Sequence, residues 1–209
     1  MTEIQLYLLS VFIMIKKNKK SSFMMDSSER NANKEAIMDF VVSWTLRMAV
    51  DHKNNKRPIL HKYCRNLLFK LLGKQNFKKT RVVKVETWKQ YNKIDLWVRI
   101  ILEEDGNCEQ HEVLIEDKIY SGLRQNQLSN NRKIFDDYLD KEQNTAKRHY
   151  ILLTCIESYD SKIKQYNEAP QYGFTLIPWD EMMKAMFVDR TPIYSESEIF
   201  NEFWVNSWY

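Results

Sequence analysis

Apolar residues recur every three or four positions in two early segments of the chain, which predicts two amphipathic helices. The first covers residues 27–50, where the run SSERN offers N-cap residues and apolar positions continue from Ile37 to Met48. The second begins at Pro58, a residue suited to the first turn of a helix, and ends at Gly73, a suitable C-cap. The fold is therefore expected to begin with two helices.

After the second helix, apolar residues alternate with polar ones, which predicts strands. The three runs are TRVVKVETW, KIDLWVRIIL and EVLIEDKIY. If Asp105-Gly106 forms a two-residue turn, Glu104 pairs with Asn107 and the numbers of every cross-strand pair add up to 211. This register gives the hairpin one coherent apolar face, which a slip of one residue would destroy. Trp97 then lies opposite Leu114, and packing is favoured over stacking on a base.

The remaining pattern predicts a helix over residues 123–141, followed by a buried strand, HYILLTCI. A short helix, the strand GFTLIPW, a helix opened by Asp180 and a C-terminal helix complete the order α-α-β-β-β-α-β, then α-β-α-α. No repeat or long linker interrupts it. Residues 27–209 are therefore expected to form a single α/β domain, preceded by an extension over residues 1–26.

The extension contains an apolar run, IQLYLLSVFIMI, followed by KKNKK. A membrane-spanning helix needs about 20 apolar residues, and a secretory signal places its positive charge before the apolar run. We therefore expect a peripheral strand or helix, or an over-extended start upstream of Met24 and Met25, rather than a membrane anchor. The three cysteines lie far apart in the sequence, which favours a reducing, cytoplasmic location. The four histidines do not show the spacing of zinc ligands, which argues against a zinc site.

Positive charge is concentrated in one segment, because His52 to Val85 contains eleven Lys or Arg residues and no acid. Two interpretations stay open at this point, a solvated helix face or a surface that binds nucleic-acid phosphates. The candidate phosphate-binding residues are Lys53, Lys56, Arg57, Lys62 and Arg65.

The residues that could carry out a reaction lie on one face of the predicted hairpin. The register places Asp95 opposite Glu116, with Cβ atoms about 5 Å apart, and Lys118 two residues further along the same face. Two carboxylates this close repel each other unless a cation lies between them. Oxygen ligands suit Mg²⁺ or Mn²⁺, with the backbone carbonyl of Asp117 as a further ligand and the lysine beside the attacking water. The alternative is an exposed strand end with ordinary ion pairs.

These residues resemble the motifs of the PD-(D/E)xK nuclease superfamily, especially a bacterial branch. The matching runs are Ile94-Asp95-Leu96, Leu114-Ile115-Glu116-Asp117-Lys118, Ser121-Gly122 and Gln127-Leu128. The match is specific over residues 80–140 and looser over about two thirds of the chain. The resemblance implies a restriction-endonuclease-like α-β-β-β-α-β core with a mixed central sheet flanked by helices, and extra helices at both ends.

The resemblance also implies roles for individual residues. Asp95 and Glu116 would be metal ligands, Lys118 the catalytic lysine, and Gln127 a residue that organises the site or substrate. The chain departs from the family where Ile94 replaces the proline of the motif and where Asn131 stands in place of a tyrosine.

Two further acids come into question. Glu86 resembles an acidic position that many members of the superfamily have. It is equally compatible with an accessory role in metal binding and with an ordinary surface position. For Glu35 a surface position is favoured over a site role.

Together with this site, the resemblance implies a metal-dependent nuclease that hydrolyses phosphodiester bonds, of DNA in preference to RNA, in phage defence, restriction or repair. The alternative is a catalytically inactive module on the same fold that binds nucleic acid or another protein. The intact set of Asp95, Glu116 and Lys118 favours the enzyme. A homodimer and a subunit of a larger complex are both compatible with the sequence.

Overall fold

The computed structural model describes residues 31–51, 56–75, 77–119, 121–188 and 192–206, with side chains from residue 35 onward. The predicted extension over residues 1–26 and the candidate residue Lys53 lie outside the described residues. In the described part, no helix is both long and apolar enough to cross a membrane.

The described elements follow the predicted order. Two helices come first, α1 (Asn31–Arg47) and α2 (Pro58–Leu71). Then come β1 (Arg81–Tyr91), β2 (Ile94–Glu104), β3 (Asn107–Lys118), α3 (Gln127–Lys141) and β4 (Lys147–Thr154). The last elements are two 3₁₀ helices (Ser161–Tyr166 and Ala169–Tyr172), β5 (Thr175–Ile177), α4 (Trp179–Met186) and α5 (Glu198–Phe200), which continues into a π-helical turn (Asn201–Val205).

The strands of the described part form one five-stranded mixed sheet in the order β1-β2-β3-β4-β5. The first three strands are antiparallel, whereas β4 is parallel to β3 and β5 is parallel to β4. A parallel neighbour requires a crossover connection, and α3 supplies it between β3 and β4. The protein is therefore a mixed α/β structure with helices on both faces of its sheet.

The predicted hairpin register is confirmed. Glu104 pairs with Asn107, and the same register continues to Leu96 and Ile115. Asp105 and Gly106 both have positive φ, 50° and 81°, as a two-residue turn of the type that fits twisted strands requires. The turn therefore fixes which residues face each other at the far end of the two strands.

Two hydrophobic cores lie on opposite faces of the sheet. One core joins the sheet to α1, α2, α4 and the C-terminal helical segment, and the other joins it to α3 and the 3₁₀ segment. Trp97 is only 3% exposed in the second core, its ring 4.6 Å from that of Phe135, and its Nε1 donates to Glu112 at 2.7 Å. The prediction that Trp97 is a core residue is confirmed.

Two local expectations were wrong. The segment after β4 forms 3₁₀ helices rather than an α-helix. Asp180 does not cap α4, whose N-cap is Pro178. The Asp180 carboxylate instead accepts hydrogen bonds from the backbone N–H and the hydroxyl of Ser158, at 2.7 and 2.8 Å. These bonds fasten the chain leaving β4 to the start of α4.

Candidate functional site

Asp95, Glu116 and Lys118 come together where β2 begins and β3 ends. The Lys118 Nζ lies 2.6 Å from Glu116 Oε1 and 3.8 Å from Asp95 Oδ2. It also donates a hydrogen bond to the Asp117 carbonyl oxygen at 3.1 Å. The carboxyl group of Asp95 also acts on that of Glu116 and raises its pKa. The three oxygens that the sequence suggested as metal ligands therefore surround one point, which the Lys118 ammonium occupies.

This set of donors fits a hard divalent cation. All three are oxygens, from two carboxylates and one backbone carbonyl, and Mg²⁺ is usually held by one or two carboxylates together with water and phosphate oxygens. Within the described ranges, no three His, Cys, Asp or Glu side chains form a metal-ligand group. A cation held by these oxygens would take its remaining ligands from water or substrate, as Mg²⁺ usually does. The Asp95 side chain, 29% exposed, leaves this end of the cluster accessible.

The Glu116 carboxylate is held by two amides from α3. Gln127 Nε2 donates to Glu116 Oε1, and Asn131 Nδ2 donates to Glu116 Oε2 at 2.8 Å. Gln127 and Asn131 are four residues apart, so they lie on one face of the helix. Asn131, which is a departure from the family pattern, thus supports the same carboxylate as Gln127. Its i, i+4 spacing from Gln127 was the signal that could have indicated this role.

The segment that follows Lys118 is fastened from two sides. Glu35 on α1 accepts a hydrogen bond from Ser121 Oγ at 2.6 Å and one from the Ile119 N–H at 3.4 Å. Tyr166 donates its hydroxyl to the Ser121 carbonyl at 2.8 Å. Glu35, for which a surface position was favoured, therefore anchors a loop beside the cluster. No feature of the sequence indicated Tyr166.

Burial and charge set the protonation of the cluster. Burial, followed by the charge and hydrogen bond of Asp95, raises the pKa of Glu116 to about 8. Burial lowers the pKa of Lys118, but the carboxylates of Glu116 and Asp95 more than offset this effect, so the pKa is raised above its usual value. Without a metal, the cluster therefore holds a charged ammonium and a proton on its carboxyl pair.

This protonation predicts a pH dependence of stability. Folded Glu116 keeps its proton up to about pH 8, whereas the unfolded chain releases it near 4.5. The contribution of protonated Glu116 to the free energy of unfolding is therefore complete below pH 4.5 and is lost as the pH rises towards 8. Buried His111 and His149 have lowered pKa values, so both stay neutral above pH 6.5. Between pH 6.5 and 8, the free energy of unfolding of the metal-free wild type should fall with rising pH. The fall should be steeper than that of the Glu116→Gln variant by about 1 kcal/mol per pH unit.

The measurement is chemical unfolding of both proteins in EDTA at several pH values. Glu103→Gln is the matched control, because it makes the same change on an acid that lies at the other end of β2. Its pH profile should follow that of the wild type. Parallel profiles for wild type and Glu116→Gln would contradict the protonation described above.

Glu86 is not brought into the cluster. It pairs in the sheet with Arg99, four residues along β2 from Asp95, or about 13 Å at the usual rise per residue. Its carboxylate forms an ion pair with Lys84 at 2.8 Å. In the structure Glu86 therefore lies too far away to share a cation with Asp95.

Arg65 and Arg81, in the described part of the basic segment, lie away from the cluster. Arg65 contacts Asp51 and donates to the Thr80 carbonyl at 2.8 Å. Arg81, the next residue, pairs in the sheet with Glu103. Glu103 and Asp95 are eight residues apart on β2, which corresponds to about 26 Å. This part of the basic segment therefore lies at the hairpin-turn end of the sheet, opposite the cluster.

The other candidate phosphate-binding residues differ in their surroundings. Lys56 and Lys62 are exposed around the start of α2, as is Arg57. The guanidinium of Arg65 lies over the ring of Phe69, 5.2 Å from its centre, in addition to its contacts with Asp51 and Thr80. Arg65 thus links α2 to the start of β1.

Comparison of the chain with protein-family models, with curated proteins and with solved structures finds no match. The geometry of this cluster and the motifs of the sequence are therefore what indicates a function for the chain.

Proposed function

We propose that this chain is a metal-dependent nuclease of the PD-(D/E)xK type with a restriction-endonuclease-like core. Asp95, Glu116 and the Asp117 carbonyl would hold Mg²⁺ or Mn²⁺, and Lys118 would act beside them on a phosphodiester, with DNA favoured over RNA. The observation that carries the proposal is the convergence of these three oxygens on one point, the Lys118 Nζ.

The arrangement of elements supports the proposed core. Helix α1 packs against the antiparallel strands β1 to β3, and α3 then crosses to the parallel strand β4. This is the α-β-β-β-α-β order that the sequence resemblance implies. The cluster lies where β3 ends, so both the crossover helix and α1 can contribute side chains to it.

Each residue has a distinct role in the proposed hydrolysis. A bound Mg²⁺ would polarise the phosphate and lower the pKa of a water ligand. In the proposed hydrolysis, the oxygen of a water molecule would form a bond to phosphorus and lose a proton to solvent. The P–O bond to the leaving oxygen would break, and the leaving oxygen would take up a proton from solvent. Lys118 would donate an N–H to the reacting phosphate or orient the water. Gln127 and Asn131 position Glu116, because each amide fixes one carboxylate oxygen.

Arg81 pairs with Glu103, which lies about 26 Å along β2 from Asp95. A duplex advances about 3.4 Å per base pair, so this separation corresponds to roughly eight base pairs. We therefore propose that Lys56, Arg57 and Lys62 contact backbone phosphates of a bound duplex away from the cut. Such contacts position nucleic acid without reading its sequence.

A cytoplasmic location is part of the proposal. Cys64, Cys108 and Cys155 are all free, and Cys108 is exposed. Free thiols are typical of proteins in a reducing compartment.

The direct test incubates purified protein with labelled double-stranded DNA, single-stranded DNA and RNA, each with Mg²⁺, Mn²⁺ or EDTA. We expect cleavage of DNA that requires the metal and stops in EDTA. The Asp95→Asn variant, purified in the same way, controls for a contaminating nuclease. Binding without cleavage under every condition would instead identify an inactive nucleic-acid-binding module and would contradict the proposed enzyme.

A further inference from the structure

Basic side chains are exposed where β1 ends, beside the cluster. β1 is an edge strand of the described sheet, and the turn formed by Asn92 and Lys93 joins it to β2 just before Asp95. Lys89 pairs with Leu96, so the Cα atoms of these two residues lie about 5 Å apart. Both lysines are exposed. Two positive charges therefore lie on the strand and the turn that lead into the proposed metal ligand Asp95.

An exposed aromatic ring lies over the same end of β1. Ser43 Oγ on α1 donates a hydrogen bond to Thr87 Oγ1 at 2.9 Å, which fastens the helix to the strand. One turn earlier on α1, the ring of Phe40 lies under the Lys89 ammonium, 4.4 Å from the ring centre. Phe40 is nevertheless 55% exposed. Because an ammonium group covers only one face of a ring, Phe40 keeps aromatic surface that a ligand can contact.

The charges of the two lysines are available to a ligand. Among the described residues neither Lys89 nor Lys93 forms an ion pair, whereas Lys84, further back on β1, pairs with Glu86 at 2.8 Å. Lys93 also has a positive φ of 70°, at a turn position where glycine is usual because a Cβ atom is strained there. Strained backbone is concentrated at binding and active sites. The turn thus favours a function for the Lys93 side chain.

We propose that Phe40, Lys89 and Lys93 bind an unpaired segment of a nucleic-acid strand and lead it to the cluster, an inference that rests on the proposed nuclease function. Basic side chains that contact the backbone, next to an aromatic ring that stacks on a base, are the combination that binds single strands regardless of sequence. A base reaches such a ring only when it is not paired and stacked within a duplex. The substrate is therefore unpaired where it is cut.

The role of the aromatic ring is tested by fluorescence anisotropy with a short labelled DNA, in EDTA so that no cleavage takes place. The probes are a single strand and the duplex that contains it. Phe40→Leu should bind the single strand about tenfold more weakly, as for the loss of one stacked base, and should bind the duplex as wild type does. Phe40→Trp, which keeps an aromatic ring at the same position, should bind the single strand at least as tightly as wild type.

The role of the lysines is tested by the salt dependence of binding to the same single strand. Each lost phosphate contact lowers the slope of log affinity against log salt by about 0.7 on a single strand, so Lys89→Gln combined with Lys93→Gln should lower it by about 1.4. Lys84→Gln is the matched control, because it removes an exposed lysine of the same strand that already pairs with Glu86. Its slope should equal that of wild type.

Single-strand binding by Phe40→Leu as tight as that of wild type would overturn the proposal, as would an unchanged slope in the double lysine variant. The proposed nuclease would not be contradicted by either result, because its own test is metal-dependent cleavage. Conversely, the expected losses of binding in a protein that cleaves no nucleic acid with any metal would support this surface and contradict the nuclease.

Discussion

Glu116→Gln should abolish cleavage while leaving nucleic-acid binding at least as strong as in wild type. The substitution keeps the shape of the side chain but removes the charge that would hold the metal between Asp95 and Glu116. Loss of metal-assisted stabilisation of the transition state is worth several kcal/mol, so we expect the rate to fall by about 10³-fold or more. Binding should persist, because one negative charge near the phosphates has gone. Single-turnover cleavage and a binding titration measure the two effects separately.

Glu103→Gln is the control, since it makes the same chemical change at the opposite end of β2, where Glu103 pairs with Arg81. This variant should cleave at the wild-type rate. Cleavage by Glu116→Gln at the wild-type rate would show that the chemistry lies elsewhere in the chain or comes from a contaminant.

Lys118→Met should also abolish cleavage, yet it should strengthen binding of the metal at Asp95 and Glu116. The Lys118 Nζ lies at the point on which the three proposed ligand oxygens converge, so it competes with a cation for them. Methionine fills a similar volume without charge. We expect turnover to fall by at least about 10²-fold, as for loss of a catalytic proton-transfer group. The affinity for Mn²⁺, measured by titration, should rise.

Lys84→Met provides the matched control, because Lys84 is an exposed lysine whose ion pair with Glu86 lies outside the cluster. It should change neither turnover nor metal affinity. Weaker Mn²⁺ binding by folded Lys118→Met would mean that the ammonium does not compete with a cation at this point, and the proposed metal position would be wrong.

The same end of the sheet shows how a buried cluster of like charges can be tolerated. Glu116 is fully buried, and its stability in that position depends on Gln127, Asn131 and Lys118.

The sequence by itself determined the hairpin and therefore the meeting of Asp95, Glu116 and Lys118. A two-residue turn fixes the register locally, and strict alternation then assigns every later residue to a face. The order of helices and strands followed from periodicity in the same way. These features depend on residues that are close in the chain, or that a tight turn brings together, so short-range rules suffice.

Only the tertiary structure decided which distant residues reach the cluster. Asn131, Tyr166 and Glu35 arrive through the packing of α3, the 3₁₀ segment and α1 on the two faces of the sheet. Arg65 and Arg81 of the basic segment, although close in sequence to the start of β1, lie at the opposite end of the sheet from the cluster. Nearness along the chain did not predict nearness in space there, because a strand of eleven residues carries the chain from one end of the sheet to the other.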